Sequence, residues 1–363
     1  MILKINFLKQ LILITVITVI FYLILDVIFG QKIIHLIQKK NNITLDEQSK
    51  PTIKNKDFKY NFKKNLKQTV QYGIYNYQLC TNKINLRIDC KDIGKKIQDY
   101  EILFIGDSFT EGVGLPYEET FVGIFEKRTN FKIANLAVSG YSPFSYYNKI
   151  LSYQKKINFQ KIKEVIVFID ISDNRDDLFL KRNEINKQKN DIENKKNTFF
   201  ISLKNFSKKT FPLTYEILFQ IKNYKLPTPR YRYVQSYGKS AWTYSEKFSG
   251  YDFREGIKKN IYYMEKLYKF LKSRNIKLSV AIYPWPNTLI YDNVFSSHVK
   301  IWKDFCLNKC HNFIDYFPIF FENKKSLNLK EAKNKIDKYY LKYDMHFNSV
   351  GHKKISEHLI NLY

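Results

Sequence analysis

Residues 101–114 read EILFIGDSFTEGVG. Ile102 to Ile105 form a short, continuously apolar run, the pattern of a strand buried on both faces. Gly106-Asp107-Ser108 follow at once, with Gly112 and Gly114 soon after. A serine so placed stands at the carboxyl end of a strand, where its backbone N–H can point at a bound oxyanion. A serine capping a turn and a serine nucleophile both satisfy the stretch taken alone. A nucleophile also needs a base, because a hydroxyl is a weak nucleophile at its free pKa.

Outward from this strand, apolar runs alternate with helix-like periods. EILFI (101–105), KIANLAV (132–138), EVIVFID (164–170), KLSVAIYP (277–284) and HNFIDYF (311–317) read as strands. Between them, 117–128, 144–156, 254–273 and 350–362 read as helices, the last capped by Asn348 or Ser349. Such alternation predicts an α/β fold with a mostly parallel sheet and helices on both faces, its site at the carboxyl ends of the strands. Residues 175–250 break the rhythm and read as an insertion. Within it, KRNEINKQKNDIENKKN (181–197) is a solvated charge run, and FPLTYEILFQIKNYKL (211–226) has the character of a short helix.

The chain has 363 residues, 44% of them apolar, and a net charge of +27. The excess consists of 53 Lys against 8 Arg, spread along the chain rather than gathered into a stripe. Nucleic-acid recognition favours Arg and a clustered footprint, so no nucleic-acid partner is expected. An anionic membrane surface or polymer fits the charge better. Near the N-terminus, LILITVITVIFYLILDVIFG (11–30) is interrupted only by Asp26. Twenty helical residues span roughly 30 Å, the thickness of the hydrocarbon core. A cleaved signal peptide needs small residues at its cleavage site, yet no alanine occurs before Ala134. The expectation is therefore an uncleaved single-pass anchor. Lys4 and Lys9 favour a cytoplasmic N-terminus, which leaves the rest of the chain extracytoplasmic, in the periplasm or at the cell surface. The predicted organisation is a tip and anchor over 1–30, a polar Lys/Asn-rich stalk over 31–71, and one large domain over 72–363.

Four cysteines fall into two close pairs. Outside the cytoplasm they read as disulfides, with the local pairs Cys80–Cys90 and Cys306–Cys310 favoured among three connectivities. The gap within CLNKCH does not suit a zinc knuckle. Near the far end, YDMHFNSVGH (343–352) places Asp344 two residues before His346. In an extended loop both side chains can reach one site, where the carboxylate holds one imidazole nitrogen and the other faces a serine. His352 is the competing base. A metal reading of Asp344, His346 and His352 meets a gap of six residues that matches no common helical ligand pattern. The aromatic segment YPWPNTLIYDNVFSSHVKIW (283–302) fits core packing or the lining of a carbohydrate or acyl site.

Gly-Asp-Ser at the first strand, a glycine loop in NLAVSGYS (135–142) and Asp-x-His before the last helix together resemble the SGNH, or GDSL, hydrolase family. The resemblance covers roughly residues 99–362. It implies a flavodoxin-like three-layer α/β/α fold, with Ser108 as nucleophile, His346 as base and Asp344 as its orienting partner. It also implies an oxyanion hole built from the amides of Ser108 and Gly140. The family's third block, Gly-x-Asn-Asp, is replaced here by FIDISDNRDD (168–177), which leaves Ser172 or Asn174 as the third donor. No cofactor or metal is needed.

Membrane-anchored proteins similar to this one are esterases or O-acetyltransferases of cell-surface polysaccharides. The implied function is transfer of an ester-linked acyl group, chiefly acetyl, to water or to an acceptor hydroxyl. A cell-surface polysaccharide is the expected substrate, and an envelope protein that passes acyl groups is an expected partner. Two alternatives stand beside it: a lipase or thioesterase acting on membrane lipids, and an inactive scaffold that binds glycan or an envelope partner.

Overall fold

The computed structural model describes residues 2–40, 50–96, 99–178, 206–207, 209–223, 238–245 and 252–363. The chain divides into two compact units, Met1–Lys50 with Asn183–Thr228 and Pro51–Arg182 with Pro229–Tyr363.

In the first unit, helix α1 runs over Ile2–Lys40. Its segment Ile12–Ile33 is long and apolar enough to cross a membrane. The charge run at 181–197 lies outside the described residues.

In the second unit, a two-stranded ribbon, β1 (Thr52–Asn55) and β2 (Lys59–Phe62), precedes an eight-stranded sheet. Three antiparallel strands form one side of that sheet: β3 (Lys67–Tyr72), β4 (Tyr75–Thr81) and β5 (Arg87–Ile88). The other side is parallel: β6 (Ile102–Ile105), β7 (Ile133–Asn135), β8 (Glu164–Ile169), β9 (Lys277–Ile282) and β10 (Phe313–Asp315). Their spatial order, β7-β6-β8-β9-β10, is the 2-1-3-4-5 order of a flavodoxin-like fold. The predicted fold class is what the structure shows. All residues of β6 and β8 are buried, which accounts for their uninterrupted apolar sequence.

Helices cover the sheet in two layers. On one, α3 (Phe121–Arg128) packs with α11 (Ser349–Ile360); on the other, α4 (Pro143–Tyr153) packs with α6 (Phe253–Lys272). The predicted N-cap of α11 is Asn348, whose Oδ1 accepts from the Gly351 amide at 3.0 Å. Short helix α2 (Ser108–Glu111) follows β6, α5 (Pro212–Asn223) belongs to the first unit, and α7 (Pro286–Tyr291), α8 (Ser297–Cys306), α9 (Phe317–Phe320) and α10 (Leu329–Tyr339) complete the set named here. Both expected disulfides are formed.

The stalk expected over 31–71 is corrected: α1 continues to Lys40, and residues 52–72 carry β1, β2 and β3. Lys/Asn-rich composition concealed the anchoring side chains, since Phe58 and Phe62 are each 1% exposed. Within 283–302, Tyr283, Trp285 and Trp302 are fully buried in the core, whereas Tyr291 and Phe295 are exposed.

Candidate active site

The order 2-1-3-4-5 reverses direction between β6 and β8, and open α/β sheets carry their sites at such a switch point. Ser108 stands there, at the first residue of α2. Gly106 makes the approach feasible: a Cβ on it would lie 2.2 Å from Oγ1 of Thr110 and 3.0 Å from the Phe168 carbonyl of β8. Asp107 caps α2 by accepting from the Phe109 amide at 3.0 Å.

His346 reaches this point from the loop before α11. Its Nε2 is 2.7 Å from Oγ of Ser108, and its Nδ1 is 2.6 Å from Oδ1 of Asp344. The Asp344 carboxylate also accepts from the His346 amide at 3.1 Å, which fixes the loop as well as the ring. Phe109 packs beside the imidazole, with ring centroids 4.6 Å apart. The predicted Ser108, His346 and Asp344 are thus brought together with the spacing of a nucleophile, its base and an orienting carboxylate. His352 is not a rival. Its Nδ1 accepts from the Phe121 amide at 3.1 Å, at the start of α3. Burial lowers its pKa to about 3, so it is a neutral structural acceptor.

Several supporting residues escape a reading of the sequence. Tyr72, the last residue of β3, places its hydroxyl 2.9 Å from Nδ1 of His346 and 3.4 Å from Oδ1 of Asp344. Its ring meets the imidazole edge to face. Tyr75, across the hairpin, accepts from the Lys342 amide at 2.8 Å, so the β3–β4 hairpin braces the loop that carries Asp344 and His346. Glu111, on α2, accepts from both the amide and the hydroxyl of Ser139, at 2.6 and 2.7 Å. That carboxylate ties the serine helix to the loop of Gly140, which adopts φ +76°, a conformation suited to glycine. Lys59 donates to the Gly140 carbonyl at 2.8 Å. Arg87 of β5 is buried and donates to the carbonyls of Glu111, Gly112 and Leu115, holding the turn after α2. None of these partners lies near its target in sequence, and only the fold joins them.

Behind Ser108 lies a buried acidic layer. Asp170 accepts from the amide and hydroxyl of Ser172, each at 2.7 Å, from Tyr283 at 3.0 Å and from Trp285 Nε1 at 2.8 Å. Burial, and then the neighbouring Asp170, push the Asp107 carboxyl well above the usual range. Ser108 Oγ lies 3.1 Å from Oδ2 of Asp107 and 2.7 Å from Nε2 of His346, so the imidazole is its closer partner. Burial raises Asp173 in the same way, and Tyr146 donates to it at 2.9 Å. Of the two candidates for the third oxyanion donor, Ser172 already gives its hydroxyl to Asp170. Asn174 is buried, with its carbonyl close against Gly256 of α6.

No family model matches the chain, and no curated protein matches it. Solved structures similar to it include psychrotrophic esterase EstA from Pseudoalteromonas sp., 11% identical, covering 72% of this chain and 96% of that one with a TM-score of 0.39. A lipolytic protein of the G-D-S-L family from Desulfitobacterium hafniense is 12% identical, with coverages of 73% and 100% and a TM-score of 0.39. Acetyl xylan esterase AlAXEase is 13% identical, with coverages of 72% and 98% and a TM-score of 0.39.

Proposed function

We propose that the chain is a membrane-anchored, extracytoplasmic serine esterase or O-acyltransferase of the SGNH type, acting on ester-linked acyl groups. The hydrogen-bonded series Ser108–His346–Asp344, at 2.7 and 2.6 Å, carries this reading. Ser108 Oγ attacks the ester carbonyl while Nε2 of His346 takes its proton. Asp344 holds Nδ1–H and stabilises the imidazolium. The oxyanion is met by the amides of Ser108 and Gly140, whose relative placement Glu111 maintains. Collapse of the tetrahedral species returns the proton from His346 to the leaving alcohol and leaves an acyl-serine. Water or an acceptor hydroxyl then attacks that ester by the same route.

The apolar helix α1 and the two disulfides support an anchored domain outside the cytoplasm. By resemblance to membrane-anchored family members, the substrate is an acetylated cell-surface polysaccharide, with an envelope acyl-transfer protein as partner. Hydrolysis of a chromogenic acetate ester, with and without oligosaccharide acceptors, tests this. Release of acetate by the wild type and not by Ser108→Ala supports the esterase. Acetylated oligosaccharide formed at the expense of free acetate identifies a transferase. A folded wild type that does neither contradicts the reading.

A further inference from the structure

Asp26 interrupts the apolar span of α1, and the structure gives it a use. It is 2% exposed, whereas its neighbours Val27 and Ile28 are 51% and 58% exposed. Its Oδ1 accepts from the Leu213 amide at 2.8 Å, and its Oδ2 accepts from the Thr214 amide at 2.7 Å and the Thr214 hydroxyl at 2.5 Å. Those amides belong to the first turn of α5, where helical N–H groups have no partner within their own helix. Gly30 leaves the room required: a Cβ there would fall 2.1 Å from Oδ1 of Asp26 and 2.9 Å from Cγ of Pro212.

A carboxyl group and an open helix end are each costly in hydrocarbon. Joined, each supplies what the other lacks. Helix α5 continues with Ile217 and Leu218, which are 46% and 60% exposed. At 12 residues it is about 18 Å long, short of the roughly 30 Å needed to cross a bilayer. Resting on the reading that α1 spans a membrane, we propose that α5 is a membrane-embedded arm. It lies in the acyl-chain region of one leaflet beside the Asp26 end of α1, held there by the carboxylate, and presents Ile217 and Leu218 to lipid. The insertion thereby gives the protein a second point of attachment.

The test uses the full chain in phosphatidylcholine vesicles with brominated acyl chains, which quench tryptophan on contact. Trp242, Trp285 and Trp302 are buried and supply a constant background. Leu218→Trp and, as a control on the span, Phe21→Trp are each expected to lose most of their added emission. Quenching of Phe21→Trp without quenching of Leu218→Trp overturns the arm alone. Absence of both overturns the anchor reading and the arm with it. Adding Asp26→Ala is expected to release Leu218→Trp from quenching while Phe21→Trp stays quenched and acetate-ester hydrolysis persists. Leu218→Trp that remains fully quenched without Asp26 overturns the capping role.

Discussion

The hydroxyl of Tyr72 lies 2.9 Å from Nδ1 of His346, on the side of the imidazole that Asp344 also occupies. A residue of the antiparallel extension therefore touches the imidazole that faces Ser108 at the end of a parallel strand. Nδ1 has one proton to share, and Asp344 at 2.6 Å is the closer acceptor. Tyr72 thus donates to the carboxylate and limits rotation of the ring. Loss of one such bond costs about 1 kcal/mol. Tyr72→Phe is expected to lower kcat several-fold with KM unchanged. An effect confined to KM would place Tyr72 in substrate binding instead.

His346 and His352 separate function from stability. His346→Ala removes the acceptor of the serine proton and is expected to abolish turnover without lowering the melting temperature. Asp344→Asn should cost on the order of 10³–10⁴ in kcat through loss of ring orientation. His352→Ala deletes a buried acceptor for the Phe121 amide, a loss of about 1–3 kcal/mol. It should retain kcat and show a lowered melting temperature, read by calorimetry beside steady-state rates.

Ser172 and Asp170 are expected to behave as supports. Because the Ser172 hydroxyl is committed to Asp170 at 2.7 Å, Ser172→Ala should leave kcat within about threefold, well below the loss of 10² or more that follows removal of an oxyanion donor. Asp170→Ala strands the donors of Tyr283 and Trp285 beneath Ser108 and should destabilise by about 3 kcal/mol or more. Denaturant titration of both variants beside kcat distinguishes the roles.

The parallel half of the sheet was legible because strands covered on both faces are written as unbroken apolar runs, as in β6 and β8. Ser108 and the Asp344–His346 pair were legible because their roles demand those residue types at a strand end and in a loop before a helix. The antiparallel half was hidden: β3 reads KQTVQY, and its residues alternate between exposed and half-buried. Residues 67–71 therefore looked like the end of a polar tether, and nothing in the sequence set Tyr72 beside His346. The bond from Glu111 to Ser139 joins residues 28 apart and becomes visible only once α2 and the Gly140 loop are placed side by side. At the third block, the sequence could not show that Asp170 draws Ser172 into its own loop.

Stability should fall as pH rises from about 4.5 to about 7, through Glu126. This carboxyl is raised from 4.5 to about 7, first by burial, with Asp92 and Asp89 adding to the shift and the Tyr117 hydroxyl opposing it. Its folded pKa exceeds its unfolded one, so the native state holds the proton longer. The contribution is full below about 4.5 and is lost as pH rises through about 7. Glu126→Gln should flatten that decline by roughly 2 kcal/mol between pH 5 and 8, measured by denaturant unfolding across the range. A variant with the same slope as the wild type would exclude Glu126 as its source.

The central claim is that Ser108 is a nucleophile activated by His346. Intact-mass spectrometry after treatment with a fluorophosphonate tests it most directly. The wild type is predicted to gain one adduct, mapped to the peptide that carries Ser108, while Ser108→Ala gains none and His346→Ala reacts far more slowly. A folded wild type that stays unmodified, or a Ser108→Ala variant labelled to the same extent, would contradict the account.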